Sequence, residues 1–377
     1  MRKLLSLLVL LAGLSYCAVA QDKQSLVDRV VDLISAPTPG LDPAAIYQPD
    51  PTWTLALTGG VRRAAITQKQ ALDMDFFGQP LHTTVDSWLK GGIDPYVGLQ
   101  FGYGNLTLSY SQNLRKSSNH DHTTFDFEYL NTGYGLQVQY FDYSQPMGIE
   151  VQLGEKGTDT YAETTGETND PVRMRAVIAD AFYAFNRRSF AFSSVYKGNK
   201  IQRRSEGSFM FGTKFIYGLV ESDPEDIIGV LTGGVGSQSS TQASFGAGAS
   251  YNLVALHRQP DSESMNGLRN LTFNLTAIPM VTLFNKFSST FYEQDPVSGE
   301  FHKALKSSMN GNLLVNYVVR AGAIFLWNRY SIGVSGRYDS YSYKGTTEIP
   351  LERIISDVKT TGGFSRWSSS LRFSVRF

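Results

Sequence analysis

Hydrophobic alternation with a period of two residues recurs along most of this 377-residue chain. The C-terminal stretch is the clearest case, because one of its faces consists of Leu371, Phe373, Val375 and Phe377. Arginine and serine occupy the other face. The same alternation returns in 206–219, 271–276 and 313–325. Side chains of a β-strand point alternately to two faces, so the pattern predicts an all-β, antiparallel fold.

Charged residues in the middle of these strands distinguish between the kinds of all-β protein. A soluble sandwich would need a second sheet or helices to cover so many aromatic faces. A transmembrane barrel covers them with lipid, turns the charges into its lumen and leaves no open edge. The composition agrees, with 23 Phe, 20 Tyr and 35 Gly but only 18% charged residues. We therefore predict a transmembrane antiparallel β-barrel.

The charge balance and the hydropathy pattern exclude two other classes. The chain has 34 basic and 34 acidic residues, whereas proteins that bind nucleic acid carry a basic surplus toward phosphate. A membrane-spanning helix needs about 20 apolar residues, and no such stretch is present in the sequence. We expect neither nucleic-acid binding nor helical membrane spans.

The N-terminus has the pattern of an export signal. Two basic residues precede the apolar stretch 4–14, and small residues follow at 18–20. This pattern predicts a cleaved signal peptide at 1–20. Lipidation at Cys17 is a weaker alternative, because Tyr16 stands where a small residue is expected. The mature chain would contain no cysteine, so we expect no disulfide and no thiolate metal site.

The alternation predicts about twelve barrel strands, at 53–66, 93–103, 105–115, 124–143, 172–186, 189–198, 205–220, 242–256, 268–284, 310–326, 329–343 and 366–377. An even number places both chain ends in the periplasm. Long outer loops are then expected at 67–92, 220–241, 285–309 and 344–365. The long segment 144–171 falls on the wrong side in this count. An extra strand at 148–153, with another elsewhere, would repair this and give fourteen strands.

The region between the signal peptide and the first strand has a different pattern. Apolar residues recur at helical spacing in 22–35, which predicts a short periplasmic amphipathic helix. A proline-rich lead follows it. The expected organisation is a signal peptide at 1–20, the helix and lead at 21–52, and the barrel at 53–377. The helix either packs over the barrel mouth or serves as a plug or docking element for a periplasmic partner.

The terminal Phe377 indicates how the protein reaches its membrane. A final amphipathic strand ending in phenylalanine is typical of the signal that bacterial outer-membrane barrels present for insertion. We therefore expect localisation in the outer membrane of a Gram-negative bacterium. The expected partners are outer-membrane lipid and, during biogenesis, the barrel-assembly machinery.

Several blocks of the sequence resemble an uncharacterised Bacteroidota outer-membrane family, known as domain of unknown function four-four-two-one. Phe185-Asn186, Ser189 to Phe192 and Gln202 to Ser208 are similar to its central block. Its later blocks are similar to 248–254, 316–320 and 327–330. The resemblance covers about residues 45–377. It implies an outer-membrane location and no assigned activity, so it transfers no catalytic residue.

Enzymatic activity has little support in the sequence. The histidines are His82, His120, His122, His257 and His302, and all fall in predicted loops or at strand ends. The run 120–122 contains two imidazoles and a carboxylate, but a solvated turn explains it better than a metal site. No catalytic elbow, zinc helix or phosphate loop occurs in a suitable context. We predict no catalytic residue, no metal and no cofactor.

The polar face of the strands supplies the candidate functional residues. We expect basic side chains in the lumen opposite Asp126 and Glu128, namely Arg173, Arg175, Lys214, Arg320, Arg337, Arg372 and Arg376. In a narrow barrel such charges pair and fill the interior, whereas in a wider one they line an anion-selective channel. Asp180 falls on the face assigned to lipid, which indicates a bulge or an error of phase. The charged run 203–206 is interpreted as a structural lock or an envelope contact.

The sequence thus predicts an outer-membrane barrel without enzymatic activity. It acts either as a narrow pore or as an anchoring, structural barrel of the envelope. The alternative is an outer-membrane lipid hydrolase with a histidine and a serine at the rim.

Overall fold

A computed structural model describes residues 39–50, 52–76, 79–90, 92–114, 121–155, 160–168, 170–221, 235–258, 267–294, 297–310, 314–347 and 355–377. The predicted signal peptide at 1–20 and the predicted helix at 22–35 lie outside these residues. Within the described part of the chain, no helix is long and apolar enough to cross a membrane.

The described residues are almost entirely strand. In chain order the strands are β1 (Ile46–Tyr47), β2 (Trp53–Phe76), β3 (Gln79–Lys90), β4 (Asp94–Tyr103), β5 (Leu106–Asn113), β6 (Asp121–Leu130), β7 (Tyr134–Gln145), β8 (Gly148–Glu155), β9 (Thr160–Glu167), β10 (Val172–Ala184), β11 (Ile201–Gln202), β12 (Glu206–Glu221), β13 (Val235–Arg258), β14 (Arg269–Gln294), β15 (Phe301–Asn310), β16 (Leu314–Trp327), β17 (Tyr330–Thr347) and β18 (Ile355–Arg376). A four-residue helix, α1 (Ser193–Tyr196), lies between β10 and β11.

Twelve of these strands close into an antiparallel barrel. Their order around the wall is β2, β4, β5, β6, β7, β10, β12, β13, β14, β16, β17 and β18. The wall closes because β18 pairs with β2, from Arg376 opposite Thr54 to Ile355 opposite Met74. The same seam is tied at its end by backbone hydrogen bonds between Trp53 and Phe377, at 3.1 and 3.2 Å. The prediction of a barrel of about twelve strands is confirmed.

Two of the twelve predicted strands are nevertheless wrong, and their errors cancel in the count. The predicted strand 124–143 is two strands, β6 and β7, joined by a tight turn at 131–133. The predicted strand 189–198 is not a strand, because it contains α1 and leaves the barrel wall. Alternating aromatic and small residues in that segment imitate a strand, although tertiary packing gives it another conformation.

The four remaining long strands lie outside the closed circle. β3 pairs with the far half of β2, β8 pairs with β3, β9 pairs with β8, and β15 pairs with β14. The extra strand expected at 148–153 therefore exists as β8, but it does not raise the barrel to fourteen strands.

Connection lengths separate the two ends of the barrel. The tight turns at 104–105, 131–133 and 328–329 lie at the end where the wall begins and finishes, called here the terminal end. The segment 146–171 leaves the wall at the opposite end. The sequence predicts it on the periplasmic side, and this prediction is wrong because 124–143 contains two strands rather than one. The one long connection at the terminal end that the structure describes throughout is 185–205.

The two faces of the wall differ as a transmembrane barrel requires. Large apolar side chains on the outer face remain exposed, for example Leu99 at 60%, Phe209 at 77% and Val315 at 67%. The inner face carries mostly serine, threonine, asparagine and charged residues, with alternate burial along each strand. Because only lipid can cover such an outer band, the wall is a membrane-spanning one.

Candidate functional site in the barrel lumen

The connection 185–205, which we call the plug segment, turns back into the lumen instead of leaving the barrel. Asn199 donates from Nδ2 to the carbonyl of Gly104 at 3.1 Å, in the turn between β4 and β5. The Tyr196 hydroxyl donates to Asn274 Oδ1 on β14 at 2.8 Å. That turn and β14 lie on opposite arcs of the twelve-strand circle. The plug segment therefore spans the lumen from wall to wall.

Aromatic packing fixes the plug segment at its entry. Phe190 and Phe192 are fully buried, and the Phe192 ring meets Phe182 of β10 edge-on with 4.5 Å between centroids. The surrounding apolar cluster includes Met210 and Ile278 from the barrel wall. Burying a phenylalanine side chain contributes about 1.5–3 kcal/mol, which favours this packed position over a hydrated loop.

A glycine makes the tight approach at the far end of the plug possible. Gly198 has φ +69°, and a Cβ there would lie 2.9 Å from Nη2 of Arg376 and 3.0 Å from Cδ1 of Ile324. A larger residue would be strained in backbone conformation and crowded by the wall. Arg376 donates to the carbonyl of Gly198, and Arg372 donates to that of Tyr196. Two inward arginines of the last strand thus hold the plug backbone.

Amide side chains from the wall and from the plug segment itself satisfy further backbone groups of the plug. Nδ2 of Asn252 donates to the carbonyl of Ala191 at 2.9 Å and lies 3.1 Å from Oε1 of Gln202. The same Gln202 oxygen accepts from the backbone N–H of Ala191 at 2.9 Å. Asn274 supports Asn252 through a 2.7 Å hydrogen bond. Buried backbone groups need such partners, so these amides explain why a loop is stable inside the lumen.

The N-terminal lead is joined to the same segment. β1 pairs with β11, and the backbone N–H of Arg203 donates to the carbonyl of Ala45 at 2.7 Å. Arg204 bridges Asp42 at 3.1 Å and Glu206 at 2.7 Å. In the run 203–206, Arg203 and Arg204 therefore make intramolecular contacts with this lead. Burial lowers the pKa of the Lys200 amine to about 8, although its Nζ donates to Oε1 of Gln48 at 3.0 Å.

A buried ionic cluster crosses the lumen beyond the plug. It consists of Asp180, Lys214, Arg320, Arg337, Asp339 and Arg366, which five different strands contribute. Lys214 Nζ lies 2.8 Å from Asp180 Oδ1 and 2.9 Å from Asp339 Oδ1. Asp339 Oδ2 also accepts from Nε of Arg337 at 2.6 Å and Nε of Arg366 at 3.0 Å. These bonds connect β10 and β12 with β17 and β18 across the barrel.

All but two of the residues predicted for the lumen lie on the inner face of the wall. Lys214, Arg320 and Arg337 belong to the ionic cluster, while Arg372 and Arg376 hold the plug. Glu128 forms an ion pair with Lys197 of the plug segment, and Asp126 is half-buried on the same face of β6. The lumen side chains therefore act in two groups, one bound to the plug and one bound to itself.

Arg173 and Arg175 are the exception, and their predicted lumen position is corrected. Both lie on the outer face of β10, where Arg173 pairs with Asp142 and Arg175 with Glu221 on the neighbouring strands. Asp180 lies on the inner face instead. Both faces of β10 carry apolar residues, so alternation alone does not show which face of this strand points into the lumen.

The histidines that the structure describes lie apart from one another. Among the described residues, no group of three or more potential metal-binding side chains is present. His122 is buried on the inner face of β6, with Nδ1 3.6 Å from Oδ2 of Asp94. His82 and His257 lie apart from it on β3 and β13. His120 and the side chain of His302 lie outside the described residues, so the predicted run 120–122 is represented by His122 alone.

Sequence reasoning missed the amides that bind the plug and the carboxylate at the centre of the ionic cluster. Gln202 and Asn252 both fall in the blocks that carry the family resemblance, at 202–208 and 248–254. For Asn252 the available signal was a polar amide at mid-strand on an otherwise polar face. It gives no indication of the partner, because the hydrogen bonds of Asn252 to the plug join residues 50 or more positions apart.

The comparisons with known curated proteins and solved structures leave the activity open. No curated protein matches the chain. Similar solved structures include the outer membrane protease OmpT from Escherichia coli, 7% identical with a TM-score of 0.40 over 86% of this chain and 97% of that one. The outer membrane protein OprG from Pseudomonas aeruginosa is 10% identical, with a TM-score of 0.29 over 86% of this chain and 96% of that one. Likeness at this level carries no argument about function.

The family comparison is more informative, since its match extends over most of the barrel. A family model covers residues 67–366, which include the plug segment and every member of the ionic cluster. The resemblance seen in the sequence blocks is thereby confirmed. The chain belongs to the family described as Domain of unknown function (DUF4421).

Proposed function

We propose that this protein is a non-enzymatic barrel of the bacterial outer membrane whose lumen is closed, and that it serves as an envelope anchor. The plug segment carries the proposal, because it crosses the lumen and bonds to several arcs of the wall. The apolar outer band supports a membrane position, and outer-membrane barrels are the class that presents such a band on strands.

The ionic cluster favours a closed lumen over a narrow pore. A selective channel needs charged groups that face a water path and bind ions weakly. Asp339 and Lys214 instead have side chains with no exposed surface, and each is paired within the cluster. Groups that are buried and paired with one another do not face a water path.

The N-terminal region supplies the anchoring part of the proposal. Residues 42–48 are fixed to the plug through Arg203, Arg204 and Lys200. The sequence segment 22–35 precedes this fixed point in the chain. We propose that this segment binds a periplasmic partner. Deleting 22–35 should release a copurifying partner while the barrel still inserts, and retention of that partner would contradict the segment's role.

Planar-bilayer recording tests the closed lumen directly. The wild-type protein should give no stepwise conductance. A variant with 190–200 replaced by a glycine-serine linker of equal length, combined with Arg337→Ser and Asp339→Ser, should conduct in steps, because the wall remains while both the plug and the centre of the ionic cluster are removed. Large stable steps from the wild-type protein would refute the proposal.

A pair of double variants controls for general damage to the barrel. In the Arg337→Ser, Asp339→Ser background, where the plug is the remaining obstruction, Arg372→Ser with Arg376→Ser removes two guanidinium groups that hold the plug backbone, and should produce transient openings. In the same background, Arg173→Ser with Arg175→Ser removes the same charge from the outer face and should remain silent. Equal behaviour of the two variants would contradict the plug mechanism.

The alternative of a rim lipid hydrolase has one candidate group among the described histidines, the buried His122 beside Asp94. Outer-membrane vesicles containing the wild-type protein should release no more fatty acid than vesicles containing the His122→Gln variant. A release that the substitution abolishes would overturn the non-enzymatic proposal.

A further inference from the structure

A cavity lies in the lumen on the far side of the ionic cluster from the plug segment. Its volume is about 90 Å³, within a wider 810 Å³ space that includes open solvent. The walls are the upper parts of β2, β7, β10, β12, β13, β14, β17 and β18, completed by β3. We call this space the upper cavity.

The lining of the upper cavity contradicts the rule for transmembrane barrels. Inner faces of such barrels are expected to be polar. Here the inner positions of β10 and β12 present Met174, Ala176, Ile216 and Val220 to the cavity. The closed-lumen function does not require this apolar surface, because the plug lies elsewhere.

Aromatic rings separate the upper cavity from the charges below it. Phe141 and Tyr341 stack on opposite sides of Phe364, with centroid separations of 5.8 and 5.6 Å. The Tyr341 hydroxyl accepts a hydrogen bond from Nζ of Lys214 at 2.5 Å. Tyr341 therefore directs its polar atom into the ionic cluster and its ring into the stack that lines the cavity.

Two other polar side chains near this stack are hydrogen-bonded within the protein. The Tyr343 hydroxyl donates to Oε1 of Gln68 at 2.9 Å, while its ring stacks on Phe287 at 5.5 Å. Gln242 donates from Nε2 to the carbonyl of Ser342 at 3.3 Å, while its Oε1 has no hydrogen-bond partner. No charged side chain belongs to the described lining. Water in such a space finds few partners.

We propose that the upper cavity is a binding site for an unbranched, uncharged hydrocarbon chain. The chain is either a free hydrocarbon or the acyl tail of a neutral lipid, since the apolar lining recognises the shared chemistry of both. Burial of the chain against the aromatic stack and the methionine and isoleucine side chains supplies the affinity.

Methionine methyl signals provide a readout located in the cavity. Met147 and Met174 line it, whereas Met210 and Met280 belong to the apolar cluster beside the plug. The full mature chain, labelled with [methyl-13C]methionine in a fluorinated surfactant, is titrated with n-decane and separately with monodecanoyl glycerol. Saturable shifts of Met147 and Met174, without shifts of the other two, are the expected result.

Filling the cavity gives the matched variants. A Cβ at Gly218, which lines the cavity, meets no atom within 4 Å, so Gly218→Trp should fit and weaken binding at least tenfold. Gly166 on β9 has equally open surroundings outside the cavity, and Gly166→Trp should leave binding unchanged. Ala176→Phe is a second blocking variant if Gly218→Trp does not fold.

Each outcome of the titration has a defined meaning. Binding of both probes supports an acyl tail as occupant, and binding of decane alone supports a free hydrocarbon. Absence of saturable shifts with both probes would overturn the proposal. Shifts that both blocking variants leave intact would overturn it as well. The conductance experiments on the plug do not depend on this result.

Discussion

Removal of the charge on Asp339 is the most direct perturbation of the barrel interior. Its side chain has no exposed surface. It accepts hydrogen bonds from Lys214 at 2.9 Å, from Arg337 at 2.6 Å and from Arg366 at 3.0 Å. Asp180 is the other carboxylate of the cluster. Two acidic groups therefore face four basic ones, and the cluster carries an excess of two positive charges.

The substitution Asp339→Asn keeps the shape of the side chain and removes its charge. Four cations then face Asp180 alone, so the excess rises to three. Breaking a buried ion pair by removing one partner costs about 3–5 kcal/mol, because the remaining charge stays buried without compensation. We expect the free energy of unfolding to fall by about that amount.

Urea unfolding of the barrel in lipid vesicles, followed by tryptophan fluorescence, measures this change. Asp86→Asn is the matched control, since Asp86 pairs with Lys69 at 3.2 Å while their side chains are 33% and 54% exposed. Pairs of that kind contribute about 0.2–1 kcal/mol. The double variant Asp339→Asn with Arg366→Met should regain part of the loss, because it removes one uncompensated cation. A loss for Asp339→Asn no larger than that of the control would refute the reasoning.

Three further predictions concern the plug and the end of the chain. Because burial lowers the pKa of Lys200 from 10.5 to about 8, the unfolded state binds more protons between these values, and stability should rise with pH across that window. The Lys200→Met variant should lack this rise in the free energy of unfolding. A variant whose free energy of unfolding rises with pH as steeply as that of the wild-type protein would contradict the prediction. A Cβ at Gly322 would lie 3.0 Å from Cγ1 of Val195, so Gly322→Val should displace the plug and accelerate its proteolysis at least tenfold, while heat-modifiable migration on gels persists. Cleavage at the wild-type rate would show that the plug does not dock there. Deletion of Phe377 should abolish insertion into the outer membrane, and a normal amount of inserted barrel would rule out its role as assembly signal.

The strands were predictable because their signal is local. Period-two alternation depends only on neighbouring residues, and it located β16, β17 and the second half of β18, although β18 begins at Ile355 within the predicted loop 344–365. It also identified the apolar outer band, since each outer residue meets lipid regardless of its distant partners. The class of fold follows from that band and from the charges at mid-strand.

The face of an individual strand was less certain where both of its sides are apolar. On β10 the sequence alone did not distinguish the inner Asp180 from the outer Arg173 and Arg175. Their faces were decided by ion pairs with neighbouring strands and across the lumen. Such pairs join residues that lie far apart in the chain, and no local pattern records them.

The sequence by itself therefore determined an antiparallel membrane barrel and the residue types available to its lumen. Only the tertiary structure decided that 185–205 is a plug rather than a strand, because its stability comes from wall residues such as Asn252 and Arg376. The upper cavity is likewise a tertiary feature, since it forms where inner faces of many strands meet around a ring stack. Closure of the wall creates the enclosed space in which both exist, and closure is a property of the whole chain.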